Sequence, residues 1–217
     1  MGEVELDTVS KKLVIHSLIY FYGDAANDII SRQVAKDIED HWNAIKGKAF
    51  IHKESYSTVF DIVGIWEGLL TPEIVYENTN PRNNYFRIEE HASGNISFVD
   101  GINSNTGYFK LENLLHHSTT AAHEYGHTIG LVHPKVLDIR GRGTPSIMYP
   151  RGTFVDPAFQ YDATVVPGER GGTLNPFLRK VLQEDIDNLQ LHRLNFNRNG
   201  FSVVGDFTSV WHDKHAM

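Results

Sequence analysis

The chain has 217 residues, 41% hydrophobic and 22% charged, with a formal net charge of −7 and no cysteine. That balance excludes a chain that is mainly disordered, and the missing cysteine excludes a disulfide framework, a thiolate metal site and a cysteine nucleophile. The acidic balance argues against a polyanion-binding surface as the main role, so no nucleic-acid partner is expected.

In chain order, Leu13–Tyr22 is β-branched and aromatic and ends at Gly23-Asp24, which predicts a buried strand. At about ten residues, with His16 inside it, the run is too short for a membrane span, which takes roughly 20. No basic stretch precedes it and no small-residue cleavage site follows, so no signal peptide is expected. Ala25–Ile45 carries Ile30, Val34, Ile38, Trp42 and Ile45 on one helical stripe, with Asp24 or Asn27 as the cap and Gly47 as the stop. Tyr56–Trp66 reads as a second long strand. Tyr85–Glu90, Asn95–Val99 and Tyr108–Leu111 are shorter strand candidates. A helix is expected from Ser118 to Ile129. The following stretch, from Pro134 to Gly172, is punctuated by proline and glycine and reads as irregular chain. Asn175-Pro176 looks like a cap and first-turn proline ahead of a C-terminal helix over Phe177–Leu194, with Leu178, Leu182, Ile186 and Leu189 as its stripe. The pattern is an α/β layer with a twisted sheet, followed by a loop-rich part.

The chemistry is concentrated in His123-Glu124-Tyr125-Gly126-His127-Thr128-Ile129-Gly130-Leu131-Val132-His133. Residues four apart on a helix share a face, so His123 and His127 can share one Zn²⁺. Glu124 sits beside the first ligand but off the metal line, where a carboxylate can hold and deprotonate water without ligating. Gly130 can enter the left-handed conformation, and the turn it allows brings His133 back as a third ligand. Three histidines leave a fourth position open, the catalytic arrangement rather than the structural one.

This segment resembles the metzincin zinc-peptidase signature. Ser146-Ile147-Met148-Tyr149-Pro150, thirteen residues after His133, resembles the methionine turn of that family. Met148-Tyr149-Pro150 and Asp185-Ile186-Asp187 look most like matrixins, whereas Pro134 directly after the third histidine looks like serralysins, so the subfamily stays open. Astacins and serralysins carry a tyrosine two positions after the methionine. Pro150 stands there in this chain, and no metal or catalytic role passes to Tyr149.

The resemblance implies an α/β (α+β) fold, with a twisted, mainly parallel sheet and two helices above a cleft. It implies a single catalytic domain over 1–217, with residues 1–133 as an upper subdomain and 134–217 as an irregular lower one ending in a helix. It further implies a zinc endopeptidase acting on protein or peptide substrates, with one Zn²⁺ on His123, His127 and His133. Glu124 would be the general base toward a metal-activated water, and Gly130 and Met148 would be structural supports. The substrate is expected to pair with an edge strand, for which Asn95–Val99 is the candidate. Residues 150–173 would wall the specificity pocket. With no cysteine, no cysteine-switch propeptide lies within the chain. Location outside the producing cell, by secretion or delivery, is favoured.

Other features carry less. Asp100-Gly-Ile-Asn103-Ser-Asn105 is oxygen-rich and reads as a turn or a Ca²⁺ loop. His116-His117 read as surface or capping groups, or as accessory metal groups. Phe201–Met217 reads as a short strand or a partner contact. Two alternatives share the motif: a delivered effector or toxin metallopeptidase with a cognate protein inhibitor, and a non-catalytic zinc-binding interaction module.

Overall fold

The computed structural model describes residues 1–92, 94 and 96–214. Strand β2 (Lys12–Tyr22) is the axis of the fold. Leu13, Ile15, Ile19 and Phe21 alternate onto one buried face, as the period of two requires. Strand β4 (Glu54–Trp66) runs parallel to β2 along ten residue pairs, from Lys12↔Ser57 to Phe21↔Trp66. The opposite edge of β2 is shared. Strand β1 (Gly2–Asp7) pairs antiparallel with residues 12–16, and β5 (Asn83–Glu89) pairs parallel with residues 18–22. Strand β7 (Thr106–Lys110) extends the parallel ladder from β5. Strands β3 (Lys48–Ile51), β6 (Phe98–Val99) and β8 (Phe201–Val204) add antiparallel pairings to β4, β7 and β1. Among the described residues, the result is a mixed α/β structure on one curled, mostly parallel eight-stranded sheet with four helices. None of the helices among the described residues is long and apolar enough to cross a membrane.

Helix α1 (Asp28–Asn43) starts where Asn27 Oδ1 accepts the Ile30 amide at 3.0 Å. Asn27, not Asp24, is the cap, because the Asp24 carboxylate is turned to Lys214. Val34, Ile38 and Trp42 are buried as the stripe requires, with Ile30 and Ile45 half-buried against the same core. This core also takes in Leu13, Phe21, Phe60, Tyr125 and Met148, so the apolar faces of β2, β4 and α1 meet the helix that carries the histidine motif. Two hydrogen bonds fix that meeting. Trp42 Nε1 donates to the Ala122 carbonyl at 3.0 Å, and the Ser17 and Tyr125 hydroxyls lie 2.8 Å apart.

A short helix α2 (Pro72–Tyr76), together with β1 and β3, was not evident in the sequence. The C-terminal helix is the main correction. In place of one helix over 177–194, there is a 3₁₀ turn at Pro176–Leu178, helix α4 (Gln183–Asn188) and a second 3₁₀ turn at Leu191–Arg193. Tertiary bonds outcompete the helical ladder between them. Lys180 N donates to the Pro145 carbonyl at 3.0 Å, and the Asp185 carboxylate accepts the Leu182 amide at 2.7 Å, restarting a helix there. Gln190, in the left-handed region at φ 50°, ends it. Residues 134–175 are irregular, as their proline and glycine content predicts, and gather around a small core of Ile139, Val155 and Leu174.

Candidate metal centre

Helix α3 (Thr120–Thr128) is buried along its whole length between the sheet core and the loop-rich part. Its end turns at Gly130, where φ is +106° and an added Cβ would lie 2.7 Å from Asn103 Oδ1. Only glycine meets both demands. The turn is closed by Leu131 N donating to the Gly126 carbonyl at 2.9 Å, and the chain returns with His133 facing the helix.

The three histidines converge. His133 Nε2 lies 3.0 Å from His123 Nε2 and 3.1 Å from His127 Nε2, and the ligand atoms of all three lie within 4.8 Å of one another. The other ring nitrogens are committed elsewhere. His123 Nδ1 donates to the Ile147 carbonyl at 2.7 Å, and His127 Nδ1 donates to the Leu131 carbonyl at 2.7 Å. A carbonyl can only accept, so both Nδ1 atoms carry the proton and both Nε2 atoms point a lone pair at His133. A single His133 proton satisfies one of those two contacts. A cation between the rings satisfies all three nitrogens. Nitrogens at about 2.0–2.1 Å from a tetrahedral ion stand about 3.3 Å apart, close to the two spacings that His133 makes. The carbonyl-anchored Nδ1–H is also the arrangement that fixes ligand orientation in metal sites. Burial holds all three imidazoles below their usual pKa, His123 the most strongly, which keeps them in the deprotonated form that ligates. The cluster can hold a metal ion, and its donor set fits zinc.

Met148 lies on the underside of α3. Tyr149 N donates to the Ser146 carbonyl at 3.2 Å, closing a tight turn over Ile147 and Met148. The Ser146 hydroxyl donates to Asp185 Oδ1 at 2.5 Å and accepts the Met148 amide at 3.2 Å. The turn reaches α3 at Gly126, where an added Cβ would meet the Met148 side chain. The same turn supplies the Ile147 carbonyl that orients His123, so the methionine turn and the first histidine are mechanically one unit.

Glu124 is buried and lines cavities of about 210 and 320 Å³ on either side of the histidines. Burial pushes its carboxyl up to about 8, opposed by the charge of Arg179 and by the Val99 backbone N–H. The larger of these two cavities runs along Ser97, Phe98 and Val99. The candidate edge of Asn95–Val99 is realised as Phe98–Val99 (β6), which does stand at the end of the sheet. Residue 95 lies outside the described residues.

Arg179 had no role in the sequence reading. It is 5% exposed and ties three segments around the site. Its Nε and Nη2 donate to Thr119 Oγ1 at 3.1 and 2.9 Å, and Nη1 donates to the Tyr149 carbonyl at 2.9 Å. Nη1 also lies 3.0 Å from His123 Nδ1. The proton on that nitrogen is already aimed at Ile147, so this is an electrostatic contact and not a hydrogen bond. No spacing signal marked Arg179, because it sits inside a stretch with helical periodicity.

Among the described residues, the remaining histidines do not join the centre. His117 Nδ1 pairs with Asp37 at 2.9 Å, and His16 lies between Glu5 and Asp61. Of the two readings of residues 100–105, the structure supports the turn. Asp100 is engaged by His212 Nε2 at 2.8 Å and by the Thr106 hydroxyl at 2.6 Å, and Asn105 Oδ1 accepts from Thr208. These oxygens hold the C-terminal segment in place. Among the described residues, the histidine trio is the one grouping with metal-ligand spacing.

In comparisons with known proteins, no family model and no curated protein sequence matches this chain. The fold and the site therefore define a class on their own terms: a mixed α/β protein with a curled, mostly parallel sheet and a tri-histidine cluster able to hold a metal ion.

Proposed function

We propose that the chain is a zinc-dependent endopeptidase of the metzincin kind. The observation that carries this reading is the pairing of three convergent Nε2 atoms with one buried non-ligating carboxylate in a cleft. Glu124 adjoins His123 in sequence, lines the cavities on both sides of the cluster and does not belong to the ligand group. The chemistry supplied by a divalent ion on His123, His127 and His133 is Lewis acidity, which polarises a carbonyl and acidifies water.

The protein's own groups complete the requirement. Glu124, buried beside the cluster and lining the cleft, takes a proton from water and returns it to the leaving amine. The Val99 amide steers the Glu124 carboxylate. The outer edge of β6 offers backbone groups to an extended peptide, in the manner of strand addition. The Ile147 and Leu131 carbonyls hold two imidazoles in the ligating tautomer throughout.

The test couples metal content by mass spectrometry with cleavage of a mixed peptide library, for wild type and Glu124→Ala. One metal per chain in both proteins, with cleavage in wild type alone, is the expected result. Cleavage that survives Glu124→Ala unchanged overturns the assignment of the base. Metal bound without cleavage in either protein favours a zinc-dependent binding module.

A further inference from the structure

The cavity of about 210 Å³ beside Glu124 is walled by Ile96, Ser97, Asn113 and Pro150 and carries two arginines, Arg151 and Arg179. Arg151 is exposed at its rim, and Arg179 is buried. Glu124 is the one carboxylate lining it among the described residues.

A buried guanidinium is costly unless an anion compensates it. The hydrogen-bond partners of Arg179 are Thr119 Oγ1 and the Pro176 and Tyr149 carbonyls, all neutral, and among the described residues it forms no ion pair. Of its five N–H groups, Nη1 keeps one whose nearest neighbour, His123 Nδ1, cannot accept it, and Nη2 keeps one with no acceptor among the described residues. A divalent ion on three neutral histidines raises the positive charge of the cavity further. Its own carboxylate is one against two arginines, and it is reserved for proton transfer under the reading above.

We infer that this cavity recognises a substrate carboxylate, through Arg179 in its wall and Arg151 at its rim. The inference rests on the peptidase reading for its location beside the scissile bond, and it names the substrate class: peptides with a carboxylate next to the cleavage point. That carboxylate has two sources open to it, an Asp or Glu side chain or the chain terminus itself. Planar, forked guanidinium donors suit either source, and paired charge-assisted hydrogen bonds are the strong kind.

The test is equilibrium binding to the zinc-loaded Glu124→Gln protein, read by fluorescence anisotropy, alongside cleavage by wild type. The probes are matched peptides that differ only as Asp against Asn at each position, and as free against amidated C-termini. The expected preference for the carboxylate member is about tenfold or more. It should disappear in Arg179→Gln and shrink in Arg151→Gln. A preference confined to internal Asp identifies the side chain, and one confined to free termini identifies the chain end. Equal binding of acid and amide, or a preference untouched by both substitutions, overturns the inference. Should Arg179→Gln fail to fold, the exposed Arg151→Glu remains decisive: it must abolish or reverse the preference, and an unchanged preference refutes the idea. Cleavage of uncharged peptides with no acidic bias sinks this inference and leaves the peptidase standing. An intact binding preference with no cleavage of any peptide does the reverse.

Discussion

Gly126 offers the sharpest test of how the metal helix is seated. A Cβ placed there would stand 3.2 Å from Met148 Cε and 3.3 Å from Trp42 Cζ2, with the Met148 sulfur nearer still. Carbon atoms pack at about 3.5–4.0 Å, so both neighbours must retreat. Neither has room, since Met148 is 2% exposed, Trp42 is 0% exposed, and Ile147 beside it is fully buried. Gly126→Ala therefore sets an overpacking cost of about 1–3 kcal/mol against a helix-propensity gain of about 1 kcal/mol. The net loss expected is up to about 2 kcal/mol, or a melting temperature lowered by up to roughly 8 °C for a chain this long. Retreat of Met148 also drags the Ile147 carbonyl from His123, so zinc affinity should fall about tenfold or more. Thermal unfolding in excess chelator isolates the packing term, and zinc titration against a competing chelator isolates the second. Met148→Ala makes the space that the added methyl needs. The double variant should then be less destabilised than the two singles added, by about 1 kcal/mol or more. A Gly126→Ala protein that melts higher and binds zinc as before would refute the account, as would strict additivity.

Three further outcomes follow from the geometry. Gly130→Ala combines a left-handed φ of +106° with a contact at 2.7 Å to Asn103 Oδ1, so it should displace His133 and reduce bound zinc well below one per chain in the isolated protein. Asp185 is pushed up to about 6 by burial, against the Ser146 and Leu182 donors. Its protonated form contributes stability that is full below the usual carboxylate value and is lost as pH rises through about 6. The stability of Asp185→Asn in urea, relative to wild type, should therefore be higher at pH 7 than at pH 5, by about 1 kcal/mol in free energy. The opposite slope would mean that the Ser146 and Leu182 hydrogen bonds outweigh burial. His127→Ala should abolish stoichiometric zinc binding in equilibrium dialysis while leaving far-ultraviolet circular dichroism near that of wild type, because the deletion lies at a cleft and not in the sheet core. Retention of one tight zinc would show that His127 is not a ligand.

Much of this arrangement was legible because its signals are local. The alternation in β2, the 3.6-residue stripe of α1 and the His-x-x-x-His spacing each state their geometry within a dozen residues. Gly130 was legible for the same reason, since a sharp turn needs one residue type. Arg179 was not, because its partners Thr119 and Tyr149 are 60 and 30 residues away and nothing in its own neighbourhood reports them. The supposed C-terminal helix failed likewise, as pairing of Lys180 with Pro145 and Ser146 overrode a periodicity that reads as helix. Strand β1 holds only Val4 and Leu6 as apolar branched residues and takes its second neighbour from β8, at a separation no window spans, while the short-strand reading of 201–217 is realised at Phe201–Val204. The Asp100–Asn105 loop stayed open between a turn and a Ca²⁺ site in the sequence because oxygen content says nothing about which way the oxygens face. His212 and Thr208, more than 100 residues on, claim them.

The ladder between β1 and β8 has a kinetic consequence. It joins Gly2–Glu5 to Phe201–Val204, so β1 gains its second neighbour only after the residues through Val204 have been made. The β2–β4 ladder and the docking of α1 on β4 span far shorter separations and can form while the ribosome is still working. Closure entropy grows with loop length and non-local pairings slow folding, so the β1–β8 seam is the late step. That seam reaches the metal helix through one residue. Asp206 N donates to the Asn103 carbonyl at 2.7 Å, and Asn103 N donates to the His127 carbonyl at 2.8 Å. The helix end can thus bond to Asn103 as soon as His127 is in place, whereas the anchor that Asp206 gives Asn103 waits for β8.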